Sequence, residues 1–162
     1  MRRDYGPVLD EVARGIRRGM SGEERMQRVA DALWRAFGGA AGGVSWVGFY
    51  LPAPGGDAMV LGPRRDKPAC SPIGLHGVCG RALERGTAVV VDDVRTLGES
   101  YIACDPADRS ELVVPLIDNA GRPWAVIDLD SRDTRAFGET DVTGIADVLA
   151  AAGLLGPNTP PP

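Results

Sequence analysis

Basic charge, lysine, histidine and long apolar runs are all scarce in this chain of 162 residues. Its 18 Lys and Arg are outnumbered by 22 Asp and Glu, giving a net charge of −4, and Lys67 is the single lysine. A chain with no basic excess lacks the footprint that nucleic acid demands, so nucleic acid is not an expected partner. No apolar run approaches the ~20 residues that span a bilayer. The N-terminal Met1-Arg2-Arg3-Asp4-Tyr5-Gly6-Pro7 leads into an amphipathic segment rather than a signal-peptide core. A cytoplasmic protein with no membrane partner is expected. Three cysteines are too few, and odd in number, for a disulfide framework. What is present, 44 % apolar and 25 % charged residues, fits one soluble globular domain and excludes a disordered chain or a coiled coil.

The first third reads as two amphipathic helices. Pro7 suits a helix start, with Val8, Val12 and Ile16 at four-residue spacing. Ser21 and Glu24 have the spacing of a capping box. Behind them Met26, Val29, Ala30, Leu33 and Phe37 form an apolar face, closed by Gly38-Gly39. Strands are predicted over Val44–Leu51 and Ala58–Leu61, either side of the turn residues Pro54-Gly55-Gly56-Asp57. A short helix over Val78–Glu84 and a strand over Thr87–Val91 follow. Residues 92–110 are polar and irregular, long enough for a functional loop. Strands over Glu111–Ile117 and Trp124–Asp130 are joined by Asp118-Asn119-Ala120-Gly121, and a helix spans residues 139–152. One domain over residues 1–155 and a disordered Pro-rich tail over 156–162 are expected. The inventory predicts an α+β fold whose mainly antiparallel central sheet, of about six strands, is covered by helices.

Strand alternation turns this reading into a site. Trp46, Gly48 and Tyr50 share one face of their strand, and Asp128 and Asp130 share one face of theirs with Trp124 and Val126. Glu111 lies on the same side of its strand as Val113. If these strands are neighbours, two aromatics and three carboxylates line one cavity. Same-face aspartates in an apolar strand repel each other and lose solvent, which costs several kcal/mol unless a cation, proton or metal compensates. The alternative places both aspartates past the strand end, in water.

The cysteines admit three explanations on residue grounds. Cys79, between Val78 and Gly80, suits inert burial. A metal set of Cys70, His76, Cys79 and Cys104 lacks the paired C-x-x-C knuckles of structural zinc. In redox catalysis one thiolate attacks and another resolves the product through a disulfide, and Cys104, in the irregular loop, suits the attacking role.

Several stretches resemble the free methionine-(R)-sulfoxide reductases, which are single GAF domains. They are Trp46-Val47-Gly48-Phe49-Tyr50-Leu51, Leu61-Gly62-Pro63, Lys67-Pro68-Ala69-Cys70 and Gly77-Val78-Cys79-Gly80. Ile102-Ala103-Cys104-Asp105, Arg109-Ser110-Glu111-Leu112-Val113-Val114-Pro115 and Ile127-Asp128-Leu129-Asp130-Ser131 complete the set, in the family's order. The resemblance implies a GAF-like fold and reduction of free L-methionine (R)-S-oxide to L-methionine. It implies that Cys104 is the nucleophile and is left as a sulfenic acid. Cys70 then forms a disulfide with it, and a thioredoxin-type reductant, supplied by NADPH through thioredoxin reductase, restores the dithiol. Cys79 matches a further cysteine of recycling. Trp46 and Tyr50 match residues that enclose the sulfoxide methyl group, and Glu111, Asp128 and Asp130 match those that hold the substrate ammonium. No bound cofactor or metal is implied, and a homodimer is.

A carboxylate cluster also gives a physical reason for choosing the free amino acid, whose ammonium a peptide-bonded residue lacks. Arg64-Arg65-Asp66, His76 and Asp92 depart from the family's usual residues without touching a named catalytic position. The competing expectation is a non-catalytic GAF module that senses a small molecule.

Overall fold

A capping box starts the larger of two N-terminal helices. Ser21 Oγ accepts from the Glu24 N–H at 3.2 Å, and Glu24 Oε2 accepts from the Ser21 N–H at 2.7 Å. Such a cap stabilises a helix start by about 1 kcal/mol. The computed structural model of the chain describes residues 3–39 and 43–156. Its elements are α1 (Gly6–Gly15), α2 (Gly22–Phe37), β1 (Trp46–Pro52), β2 (Ala58–Arg65), β3 (Ile73–Gly74), α3 (Val78–Arg85) and β4 (Val89–Val91), then β5 (Ser110–Ile117), β6 (Pro123–Ser131) and α4 (Glu139–Ala151). Residues 157–162 of the expected tail lie outside the described residues.

The strands form one six-stranded sheet in the order β3-β2-β1-β6-β5-β4, and every paired neighbour runs antiparallel. Side-chain alternation gives this sheet two apolar faces. Val47, Phe49, Leu112, Val114, Ile127 and Leu129 face a layer made by α1, α2 and α4, where Val29, Leu33, Ile145 and Leu149 are fully buried. Each such side chain taken out of water stabilises by roughly 1.5–3 kcal/mol. Trp46, Tyr50, Val113 and Val126 face the other way, toward α3 and the segments around it. Two layers of unequal thickness result, and the thinner one carries the chemistry.

Several boundaries differ from expectation. β1 begins at Trp46 because Val44 instead makes a parallel bridge to Gly38. β2 runs on to Arg65 because β1 pairs along its length, with Val47 opposite Arg65. The two-residue β3, unseen in the sequence, exists only through its pairing with Ala58 and Met59. β4 is confined to residues that pair with β5. The long loop contains two 3₁₀ turns, Val94–Thr96 and Gly98–Ser100. Among the described residues no helix is long and apolar enough to cross a membrane.

Candidate active site

Sheet register assembles the site. Across β1, β6 and β5, Trp46 stands opposite Asp130, which stands opposite Glu111, while Gly48 stands opposite Asp128 and Asp128 opposite Val113. Tyr50 stands opposite Val126. Directly opposed residues in antiparallel strands share a face, so the two aromatics and three carboxylates lie on one side of the sheet. Both aspartates lie within β6 rather than past its end, and Asp128 is 7 % exposed, as buried as Glu111 at 5 %. Asp130 sits at the rim, partly exposed.

Gly48 makes room for this arrangement. A methyl group there would fall 2.3 Å from Trp46 Cη2 and 2.9 Å from Arg64 Cβ, inside van der Waals contact with both. The indole therefore lies over bare backbone, 6.1 Å from the Tyr50 ring centroid. Both aromatics also tie down a neighbouring segment. Trp46 Nε1 donates to the Lys67 carbonyl at 2.9 Å, and the Tyr50 hydroxyl donates to the Cys70 carbonyl at 2.8 Å.

Cys70 and Cys104 form a disulfide with Cα atoms 5.5 Å apart. Both thiols of the metal set that needed Cys70 and Cys104 are thereby consumed, and His76 lies exposed, outside the acidic cluster. Cys104 is solvent-exposed, open to an external reductant. An ion pair between Lys67 Nζ and Asp105 Oδ2 runs beside the disulfide, with Arg132 Nη2 at 3.8 Å from the same oxygen.

Cys79 is the remaining cysteine, buried at the start of α3. Its thiol donates to Asp128 Oδ2 at 3.6 Å. Gly80 lets α3 approach closely, since a Cβ there would fall 2.0 Å from the Leu75 carbonyl oxygen. Burial, then the charges of Asp128, Glu111 and Asp130, hold the Cys79 thiol well above its ordinary pKa. It is a protonated thiol and a poor nucleophile.

The carboxylates are starved of donors. Glu111 Oε2 and Asp128 Oδ1 are buried without a hydrogen-bond partner. Burial raises Asp128 to about 7, against the lowering effect of the Cys79 hydrogen bond. Burial raises Glu111 well above its usual range, reinforced by Asp128 and partly offset by the Arg81 guanidinium. Asp130 is raised first by burial and then by the Asp128 and Glu111 charges. Such a group of acids holds protons at neutral pH, or takes up a cation.

A cavity of about 30 Å³ is lined by Tyr50, Cys79, Tyr101, Cys104, Glu111 and Asp128. The structure thus gathers six of the eight sequence-derived candidates around one space, counting Cys70 through its bond to Cys104. Trp46 and Asp130 share the face without lining the cavity. Tyr101 and Arg81 were not found by sequence reasoning. Tyr101 lies in the irregular segment three residues before Cys104, and only the folded path of that segment brings it in. The wider depression between α1 and α2, about 370 Å³, contains no cysteine, and Arg35 and Glu11 are already paired at it.

A GAF-domain family model matches residues 20–154. The free methionine-R-sulfoxide reductase of Saccharomyces cerevisiae is 36 % identical over 118 residues, covering 72 % of this chain and 65 % of the yeast protein. That of Escherichia coli is 38 % identical over 109 residues, covering 66 % of this chain and 63 % of its own. The chain therefore spans less than two thirds of the length of these two relatives. The crystal structure of the free methionine-R-sulfoxide reductase of Neisseria meningitidis, in complex with its substrate, superposes with a TM-score of 0.81 at 35 % identity. That likeness covers 96 % of this chain and 87 % of the Neisseria chain.

Proposed function

The chain belongs to the GAF-domain family and, within it, to the free methionine-R-sulfoxide reductases, and from that membership we propose that it reduces free L-methionine (R)-S-oxide to L-methionine at the Cys104 face of the sheet. The observation that carries this reading is the conjunction of an exposed Cys70–Cys104 disulfide with two buried, unpartnered carboxylate oxygens across the same small cavity.

In the forward step the Cys104 thiolate attacks the sulfoxide sulfur. One carboxyl of the cluster, kept protonated by burial, delivers its proton to the sulfoxide oxygen. Methionine leaves, its sulfur reduced by two electrons, and Cys104 is left as a sulfenic acid. The Cys70 thiol displaces water from that sulfenic acid and the disulfide forms. A thioredoxin-type dithiol, reduced in turn by NADPH through thioredoxin reductase, returns both cysteines to thiols. Cys79, protonated and buried, is a contributor to recycling rather than the attacking group. Trp46 and Tyr50 provide the wall against which the methyl group packs. Glu111, Asp128 and Asp130 hold the ammonium, which restores a counter-charge to a cluster that lacks one. A homodimer belongs to the same reading.

The volume of the cavity adds a condition. About 30 Å³ accommodates little more than one water, so the sulfoxide enters only after the disulfide has opened and the Cys104 segment has moved.

The test is NADPH consumption through thioredoxin and its reductase, with each epimer of free methionine sulfoxide and with the N-acetylated R epimer. Turnover is expected with the free R epimer alone, and none with Cys104→Ser. Cys70→Ser is expected to give one methionine per enzyme and a trapped sulfenic acid. Turnover of the acetylated compound at the same rate would remove the ammonium role. No turnover by folded, reduced protein would favour a non-catalytic binding module.

A further inference from the structure

Cys79, Glu111 and Asp128 form a second reactive grouping inside the site, distinct from the Cys70–Cys104 pair. One ligand atom from each, a sulfur and two carboxylate oxygens, lies within 4.8 Å of the other two, and all three residues are buried. We propose that this cluster binds a thiophilic divalent cation of the zinc class, and that the ion shuts the site by occupying the place of the substrate ammonium.

Distances support the choice of ion. Zn–S of ~2.3 Å and Zn–O of ~2.0 Å at a tetrahedral angle put sulfur and oxygen about 3.5 Å apart. Cys79 Sγ and Asp128 Oδ2 stand at 3.6 Å. The unpartnered Glu111 Oε2 and Asp128 Oδ1 are the independent observation, since each is an acceptor on a side chain more than nine-tenths buried. One sulfur and two oxygens suit zinc or cobalt and not calcium or magnesium, which require six or more oxygens and hold no thiolate. Coordination replaces the thiol proton, which leaves to solvent, with no change of oxidation state. The cavity beside the cluster is also lined by Cys104, which could supply a further sulfur once its disulfide is opened.

Metal binding stands on this geometry alone; the inhibitory consequence rests on the proposed ammonium role of the same carboxylates. The two are separable. In the oxidised protein Cys79 is the only free thiol, so added Co²⁺ should give a thiolate-to-cobalt charge-transfer band that can come from no other residue. Cys79→Ser should abolish the band. Glu111→Gln and Asp128→Asn, which preserve shape and the thiol, should weaken affinity by more than ~100-fold, beyond what loss of a merely supporting residue costs. No band in folded, oxidised protein, or affinity unchanged in both amide variants, overturns the site.

The consequence is read in a Cys70→Ser, Cys104→Ser double variant, whose single thiol is again Cys79 and whose loops carry no disulfide. Free methionine (R)-sulfoxide should displace the bound Co²⁺, and its N-acetylated form should not. A band that the sulfoxide leaves intact would keep the metal site and remove the shared ammonium position.

Discussion

Asp128 carries its charge in a place that offers only one hydrogen bond, and the pH dependence of the ligand-free fold follows from that. In the unfolded chain its carboxyl titrates near ~4. Burial in the fold raises it to about 7. Between those values the folded state holds a proton that the unfolded state has released, so stability falls as pH rises through that window and levels off above it. Asp128→Asn should remove this slope. Urea denaturation at about pH 5 and about pH 8 should show wild type losing on the order of 2–3 kcal/mol more than the variant. Equal losses would mean that Asp128 is ionised throughout. At this scale the sequence was legible. Strand alternation put Asp128 and Asp130 on one face of their strand and Glu111 beside Val113 on its own, because period-two alternation holds wherever a strand is regular; the register that joins these faces came only with the fold. Alternation did not separate the buried pair from the rim residue Asp130, since depth depends on what α3 and the long loop cover.

Among the elements, β1 and the loops flanking it do most of the positioning. Gly48→Ala forces a methyl group into the Trp46 indole and should cost about 1–3 kcal/mol, the usual range for an overpacked interior. It should also raise KM more than it lowers kcat, which steady-state kinetics would separate from simple unfolding. The Lys67–Asp105 pair joins the segment before Cys70 to the residue after Cys104. After reduction it still ties those two segments directly to each other. Lys67→Met or Asp105→Asn should slow disulfide closure after the sulfenic acid forms by roughly 2- to 5-fold, the size a half-exposed ion pair supports. The rate of methionine release should stay unchanged, as rapid quenching with thiol alkylation would reveal. Helices α1, α2 and α4 were readable from apolar spacing and from the Ser21 and Glu24 cap. The far end of β2, the short β3 and the 3₁₀ turns were not, because pairing partners distant in sequence create them and no local periodicity marks them.

At the scale of the whole molecule, the Cys70–Cys104 bond closes a loop over a sequence separation of 34 residues. Chain entropy gives such a cross-link about 4 kcal/mol. The reduced protein, and Cys70→Ser under any condition, should therefore melt roughly 10 °C below the oxidised form in calorimetry. Coincident melting would place the two cysteines together in the unfolded chain as well. The protein is thus expected to be firmest in its disulfide-bonded state.

The sheet order has a consequence for the birth of the protein. β1 finds its inner neighbour only in β6, and Trp46 meets Asp130 across about half the chain's length. During synthesis β1, Cys70 and Cys79 emerge first, while Cys104 and then the acids are still to be added. A growing chain therefore has both cysteines of the disulfide before β6, but no acidic pocket until that last strand is made. The acidic face is completed in a single late step, when β6 slots between two strands made before it.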